Sequence, residues 1–404
     1  MTERTLLMIP GPIEFEPEVL RAVGRQTTSH TDPEFAKAFG RALGRMREVF
    51  VAPTAQPFIV AGSGTLAMEM AVANLVTHGD RALVVNTGYF SDRMGEILSR
   101  YGAEVTHVRA PAPAFDVPAL ADIERALAGA AFKLVTVTHV DTSTGVRAPV
   151  EAIAKLARAS GALVVVDGGC SIGGEELRQD AWGVDVALTA SQKAMGVPPG
   201  LALVSVGPRA LDAWRSRKAK VGSLYLDFGE WLPIMEAYEK GQAAYFATPA
   251  VNLVLGLDVS LAQIVSEKMD ARVLRHRRLA SAFRAAWRAL ELRTLPVRED
   301  ITANTLSALY FPSDVDASLV GRVRAEGVVL AGGLHPDVKT KYFRVGHMGA
   351  LRESDVVATV GAIERALLAG GHSIAPGVGV AAAQAVLAGA PADARGARGE
   401  RARA

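Results

Sequence analysis

Cysteine is almost absent: Cys170 is the single thiol among 404 residues, so no intrachain disulfide can form and nothing suggests export to an oxidising compartment. Long apolar runs are missing too, and no stretch approaches the ~18 apolar residues that a membrane span requires. The opening Met1-Thr2-Glu3-Arg4 leads into a short apolar stretch to Ile9, ended by Pro10-Gly11-Pro12. That lacks the apolar core and small-residue cleavage site of a signal peptide. The final Arg401-Ala402-Arg403-Ala404 is not a Ser-Lys-Leu peroxisomal address. The expected location is cytoplasmic. Charge of one sign is not in excess: 44 Lys and Arg stand against 42 Asp and Glu, for a net +2. The basic residues are scattered. The one dense basic stretch in the body, Arg272 to Arg278, also carries Val273 and Leu274 and reads as the exposed face of a helix. Neither nucleic acid nor membrane is an expected partner. His30, His139, His335 and His347 do not fall at a metal-ligand spacing, and internal repeats are absent.

What is present is enough apolar sequence, half of all residues, to build a sizeable core. The length exceeds one ordinary domain, so a large domain and a smaller one are expected. From about residue 55, short apolar runs alternate with longer helical patterns. Strands are predicted at 57–61, 82–85, 105–108, 134–138, 163–166, 185–189 and 201–206, with helices after Gly64, over 91–101 and over 150–160. This alternation predicts an α/β fold with a mostly parallel sheet covered on both faces. After Tyr245 the pattern changes. A helical stretch from Val251 to Ile264 continues through the basic helix to about Leu290. Strands at 307–311 and 342–345 and helices near 317–326 and 355–368 then form a smaller α+β unit. The expected organisation is an N-terminal arm (1–20), a large domain (21–260), a small C-terminal domain (261–390) and an Ala-, Gly- and Arg-rich tail (391–404) read as disordered.

Two residues point to chemistry. Asp167 ends the run Leu163-Val164-Val165-Val166-Asp167, and Lys193 follows 26 residues later in Thr189-Ala190-Ser191-Gln192-Lys193-Ala194-Met195-Gly196. A lysine in a small-residue loop, downstream of a carboxylate at the end of a buried strand, is what pyridoxal phosphate chemistry requires. The amine attaches to the cofactor aldehyde, and the carboxylate keeps the pyridine nitrogen protonated. Taken singly, Asp167 also fits an ordinary helix cap and Lys193 a solvated surface lysine. Gly62-Ser63-Gly64-Thr65 follows a strand and opens a helix, where backbone N–H groups and hydroxyls can hold one phosphate. It lacks the full spacing of either nucleotide-binding signature, so a dehydrogenase is disfavoured. Arg344, in Phe343-Arg344-Val345-Gly346, suits a carboxylate with its planar fork, or a structural ion pair. Phe90 fits a ring-stacking aromatic or a core residue. His139-Val140-Asp141-Thr142-Ser143-Thr144-Gly145 ends another strand and brings hydroxyls to the sheet edge where open α/β sheets bind ligands. Cys170 reads as a small buried thiol near Asp167.

Together these segments resemble the class V pyridoxal-phosphate aminotransferases, within them the alanine–glyoxylate and serine–glyoxylate group. The resemblance runs from Leu7 to about Leu368. Its specific pieces are 139–145, Asp167-Gly168-Gly169-Cys170-Ser171-Ile172-Gly173-Gly174, 189–194 and Tyr245-Phe246-Ala247-Thr248-Pro249. It implies the fold of the aspartate aminotransferase-like (type I) enzymes and pyridoxal 5′-phosphate as cofactor. Lys193 and Asp167 match the lysine and the ring-nitrogen partner. Ser63, Gly64 and Thr65 match the phosphate turn; Thr142 and Gln192 match contacts to the ring and its 3′-oxygen region. Phe90 matches the stacking aromatic, often tryptophan in the family. Arg344 matches the carboxylate-binding arginine, with Gly11 beside the substrate. Tyr245 and Thr248 match residues that reach the neighbouring subunit's phosphate, which implies a homodimer with shared sites. Gly169 departs from the family, where valine or alanine backs the ring. The implied activity is transfer of an amino group from L-alanine to glyoxylate, with serine as the alternative donor and serine–pyruvate transfer a further alternative. A cysteine desulfurase would need a thiol on a mobile loop in the second half of the chain. A non-catalytic cofactor carrier would have no use for Arg344.

Overall fold

The computed structural model describes residues 5–112 and 114–389; the expected disordered tail, 391–404, lies outside the described residues. Among the described residues twelve strands follow in chain order. The first eight are β1 (Leu6–Leu7), β2 (Gln56–Ala61), β3 (Arg81–Asn86), β4 (Glu104–Arg109), β5 (Leu134–Thr138), β6 (Leu163–Asp167), β7 (Val186–Ala190) and β8 (Leu201–Val206). The last four are β9 (Leu306–Tyr310), β10 (Val328–Val329), β11 (Ala331–Gly332) and β12 (Tyr342–Gly346). Seven of them form one sheet in the order β2-β8-β7-β6-β5-β3-β4. Every neighbour in it is parallel except β8, which runs against both β2 and β7.

The composition of the strands explains their places. β5, β6, β7 and β8 are buried at every position, as strands covered by helices on both faces must be. β4 sits at the edge and carries exposed Glu104 and Arg109, charged side chains that discourage pairing with another chain. Because β2 and β7 both oppose β8, β2 points the same way as the parallel strands. The loops after β2, β3, β5, β6 and β7 therefore all open at one edge of the sheet.

A second apolar cluster contains Leu279, Phe283 and Trp287 with β9, β12 and the helix Glu353–Ala369. β9 and β12 pair antiparallel, with β11 on the outer side of β12. The first cluster takes in the helix Val251–Glu267 as far as Ile264. The helical stretch expected to run unbroken to Leu290 is two helices, Val251–Glu267 and Met269–Ala289, divided at Lys268 with φ +67°. The reading of Arg272–Arg278 as a wholly exposed face is also corrected. Arg272, Val273 and His276 are buried and only part of that helix faces water.

The N-terminal segment ties the two clusters together. β1 pairs parallel with β10, Met8 belongs to the second cluster, and Met8 O accepts from Gly346 N at 2.7 Å. The chain then crosses to the sheet edge, where Ile13 N donates to Gln192 O at 3.2 Å. It ends against the first cluster through the helix Pro17–Val23.

Candidate active site

The loops at that sheet edge enclose a cavity of about 230 Å³. Its walls include Ser63, Gly64 and Thr65 after β2, Phe90 after β3, Thr142 after β5, Asp167 at the end of β6 with Gly169 just beyond it, and Gln192 and Lys193 after β7. Nine residues picked from five separate loops thus meet in one place. A wider cleft of about 400 Å³ lies nearby between Glu14, Arg275 and Arg352, but its central charges, Arg272 and Arg275 with Glu267, are already paired.

Asp167 is the electrostatic centre. It is 6% exposed, and register places it between Thr138 on β5 and Leu188 on β7. Burial pushes its carboxyl up from 3.8 to about 6 and nearby Asp141 adds to this, while the Gly169 N–H, Lys193 and Arg93 oppose it. The Gly169 N–H donates to Oδ1 at 2.9 Å. A buried carboxylate with one internal donor is unstable as an anion unless a cation comes to it. Gly169 leaves the wall beside it low; a Cβ there would stand 3.2 Å from Asp167 Oδ1.

Lys193 faces the same cavity. Its Nζ donates to the carbonyl of Pro10 and lies 3.4 Å from Cys170 Sγ, which in turn sits 2.8 Å from Thr142 Oγ1. The N-terminal segment is therefore a wall of the lysine's channel. Gly11 has φ +100°, and a Cβ on it would fall 2.6–2.9 Å from the lysine's Cδ, Cε and Nζ. Only glycine fits that backbone shape and that approach. Cys170 is buried behind the lysine, not on a loop in the second half of the chain.

At the opposite wall, Ser63 is the N-cap of the helix Gly64–Leu75, so free backbone N–H groups face the cavity beside the Thr65 hydroxyl. Arg93 Nη1 donates to Thr65 Oγ1 at 3.2 Å, and its guanidinium lies 5.0 Å from the Phe90 ring centre. Phe90 itself is fixed from below. Asp141 accepts from Phe90 N at 3.0 Å and Ser91 N at 3.3 Å, capping the helix Tyr89–Arg100 from the loop after β5. Burial raises the Asp141 carboxyl, and four hydrogen bonds from Ser143, Ser91 and Phe90 pull it back.

Arg344 is not among the residues lining the cavity and meets its wall only through the backbone of Thr142. Its Nη1 donates to Thr142 O at 3.1 Å and its Nε to Gly332 O at 2.9 Å. Among the described residues it makes no ion pair, so the structural salt bridge weighed above is not found. Burial lowers its pKa. Tyr245 and Thr248 stand apart from the cavity. Tyr245 is 65% exposed beside His30, 5.3 Å between ring centres, and Thr248 lines a surface cleft with Thr27 to His30.

The model of the family "Aminotransferase class-V" matches residues 16–355. The chain belongs to the class V aminotransferase family. It is 41% identical over 357 residues to alanine–glyoxylate aminotransferase 1 of Saccharomyces cerevisiae, covering 85% of this chain and 91% of that one. It is 31% identical to serine–glyoxylate aminotransferase of Arabidopsis thaliana, covering 94% of each. The crystal structure of an alanine–glyoxylate aminotransferase from Nostoc sp. superimposes with a TM-score of 0.84 at 30% identity, over 91% of this chain and 96% of that one.

Membership of class V implies pyridoxal phosphate, and the cavity suits it. Among the described residues, Gln192 Oε1 is buried there without a hydrogen-bond partner. Among them Asp167 makes no ion pair, and a helix N-terminus faces the far end. Several residues escaped sequence reasoning. Arg272 is buried and donates to Gly173 O at 2.7 Å and Ala194 O at 3.1 Å, so it braces both the Asp167 and the Lys193 loops. Its only sequence signal was a basic run that pointed outward. Asp141 lay within a segment valued for its hydroxyls. Arg93 carried no signal, and Pro10 only its place in the Leu7–Pro12 stretch where the resemblance begins, because a backbone carbonyl's role depends on where the chain crosses.

Proposed function

We propose that this aminotransferase moves the amino group of L-alanine to glyoxylate, giving pyruvate and glycine, with pyridoxal 5′-phosphate bound in the Lys193 cavity. The observation that carries the proposal is the convergence of Lys193, Asp167 and the Ser63–Thr65 helix start on a single cavity. Ser63, Gly64 and Thr65 would hold the phosphate, Asp167 the ring nitrogen, Phe90 a ring face, and Thr142 and Gln192 the ring oxygen side. When bound, the cofactor supplies an electron-withdrawing ring that acidifies the α-C–H of the amino acid.

The protein's own residues then divide the work. Arg344 binds the α-carboxylate and turns the α-C–H toward Lys193. Lys193 Nζ takes that proton and, in the second half of the cycle, returns one to the α-carbon of the product. Pro10 O and Gly11 confine the lysine while it does so. Asp167, dry and preorganised, stabilises positive charge opposite it. Alanine as donor and glyoxylate as acceptor are supported by the Saccharomyces relative and the Nostoc structure; serine as donor is supported by the Arabidopsis relative. A homodimer in which Tyr245 and Thr248 complete the neighbour's phosphate site is part of the same proposal, supported by their placement on the surface outside their own chain's cavity. A cytoplasmic location is also part of it.

The test is a panel of alanine, serine, aspartate and glutamate against glyoxylate and pyruvate. Alanine with glyoxylate should give the highest kcat/KM. A tenfold preference for serine would replace the donor, and no transfer by any pair would end the proposal.

A further inference from the structure

We infer that Tyr342 is a positioning residue that sets Arg344 for the substrate carboxylate; this rests on reading Arg344 as the carboxylate clamp. The two residues are two apart on β12 and share a face of the strand. The Tyr342 side chain is fully buried. Its hydroxyl donates to Ser143 O at 2.6 Å and accepts from Leu334 N at 2.7 Å and His335 N at 2.8 Å. That uses its one proton and both lone pairs.

Arg344 bonds to the same two backbone segments. Gly332 O and Thr142 O accept from it, two residues before Leu334 and one before Ser143. The guanidinium is thus aimed by two carbonyls whose separation is fixed by the neighbouring phenol. With Nε and one Nη1 proton engaged, no residue among those described takes the two Nη2 protons, which are left for a ligand. The loop that Tyr342 holds also carries the cofactor wall. Thr142 lines the cavity, and Ser143 Oγ accepts from Tyr89 N at 3.1 Å, next to Phe90. The phenol therefore sets the clamp relative to the ring-stacking helix. A core tyrosine kept only for its bulk would not need three hydrogen bonds across two loops.

The experiment is Tyr342→Phe in the holoenzyme, which keeps the ring in the core. KM for both the amino donor and the oxo acid should rise about tenfold, since a buried three-bond hydroxyl is lost. kcat should change less than about threefold, and the cofactor's dissociation constant less than about twofold. Arg344→Lys supplies the second arm: if Tyr342 acts through Arg344, adding Tyr342→Phe to Arg344→Lys should raise KM little further. Unchanged KM in Tyr342→Phe, an equal loss of cofactor affinity, or independent effects in the double variant would each overturn the proposal. The unaltered protein gives a reading that needs no variant and no turnover. Propionate, a bare carboxylate, should slow amide exchange across 332–335, and unaltered exchange there would contradict the coupling. Absence of transamination with protection by propionate would instead fault the proposed activity and leave the clamp standing.

Discussion

Asp167→Asn should make the cofactor-free protein more stable while crippling it as an enzyme. Burial lifts the Asp167 carboxyl from 3.8 to about 6, so the folded chain resists ionising a group that the unfolded chain ionises freely. Well below pH 3.8 both states hold the proton and there is no penalty. As pH rises the unfolded chain releases its proton first, and above about pH 6 the full penalty is in place. Converted at 1.36 kcal/mol per pH unit, the gap is about 3 kcal/mol. Asparagine removes the charge and can still accept from the Gly169 N–H at 2.9 Å. For a chain of this length, about 3 kcal/mol corresponds to about 4 °C in Tm. Thermal scans of stripped protein at pH 8 and pH 4 test this. The variant should melt higher at pH 8, with about four-fifths of the gain lost at pH 4. A variant less stable than the parent at pH 8, or an undiminished gain at pH 4, would refute the reasoning. The loaded variant should lose on the order of 10²–10³-fold in kcat, because the charge that strains the empty site is the one that stabilises the transition state.

Lys193→Ala should cut alanine–glyoxylate transfer by ~10³-fold or more in a coupled assay, as expected for a lost proton carrier and attachment point; a native rate would remove Lys193 from the mechanism. Gly11→Ala should displace the lysine and lower kcat on the order of 10²-fold, because the new Cβ would sit 2.6–2.9 Å from its side chain; a near-native kcat would mean the N-terminal segment does not confine it. Arg272→Met should destabilise by about 1–3 kcal/mol in urea unfolding, since it leaves the buried carbonyls of Gly173 and Ala194 without their donor while Glu267 keeps Arg275; an unchanged midpoint would contradict its bracing role.

Much of the sheet was legible because its strands are buried on both faces. Leu134–Thr138 and Leu201–Val206 are near-continuous apolar runs, and their limits could be read directly. The loops after such strands had to share an edge, which is why residues as distant as Ser63 and Lys193 could be expected in one cavity. What could not be read depends on tertiary placement. The two-residue strand Leu6–Leu7 has no periodicity, yet its pairing with Val328–Val329 decides that Pro10 and Gly11 pass over the lysine. The break at Lys268 lacks a proline or glycine to announce it. Arg272 looked exposed because its neighbours are charged; its burial comes from carbonyls 78 and 99 residues away in sequence. Tyr342 was marked only as the start of the strand predicted at 342–345, and only its phenol's partners distinguish it.

The account rests on Lys193 being the amine that carries the cofactor, and trapping tests that most directly. Loaded protein is reduced with borohydride, digested and mapped by mass spectrometry. The expected result is the cofactor's mass fixed on the peptide containing Lys193 and on no other. Label on another lysine, or none on a protein that still transaminates, would contradict it.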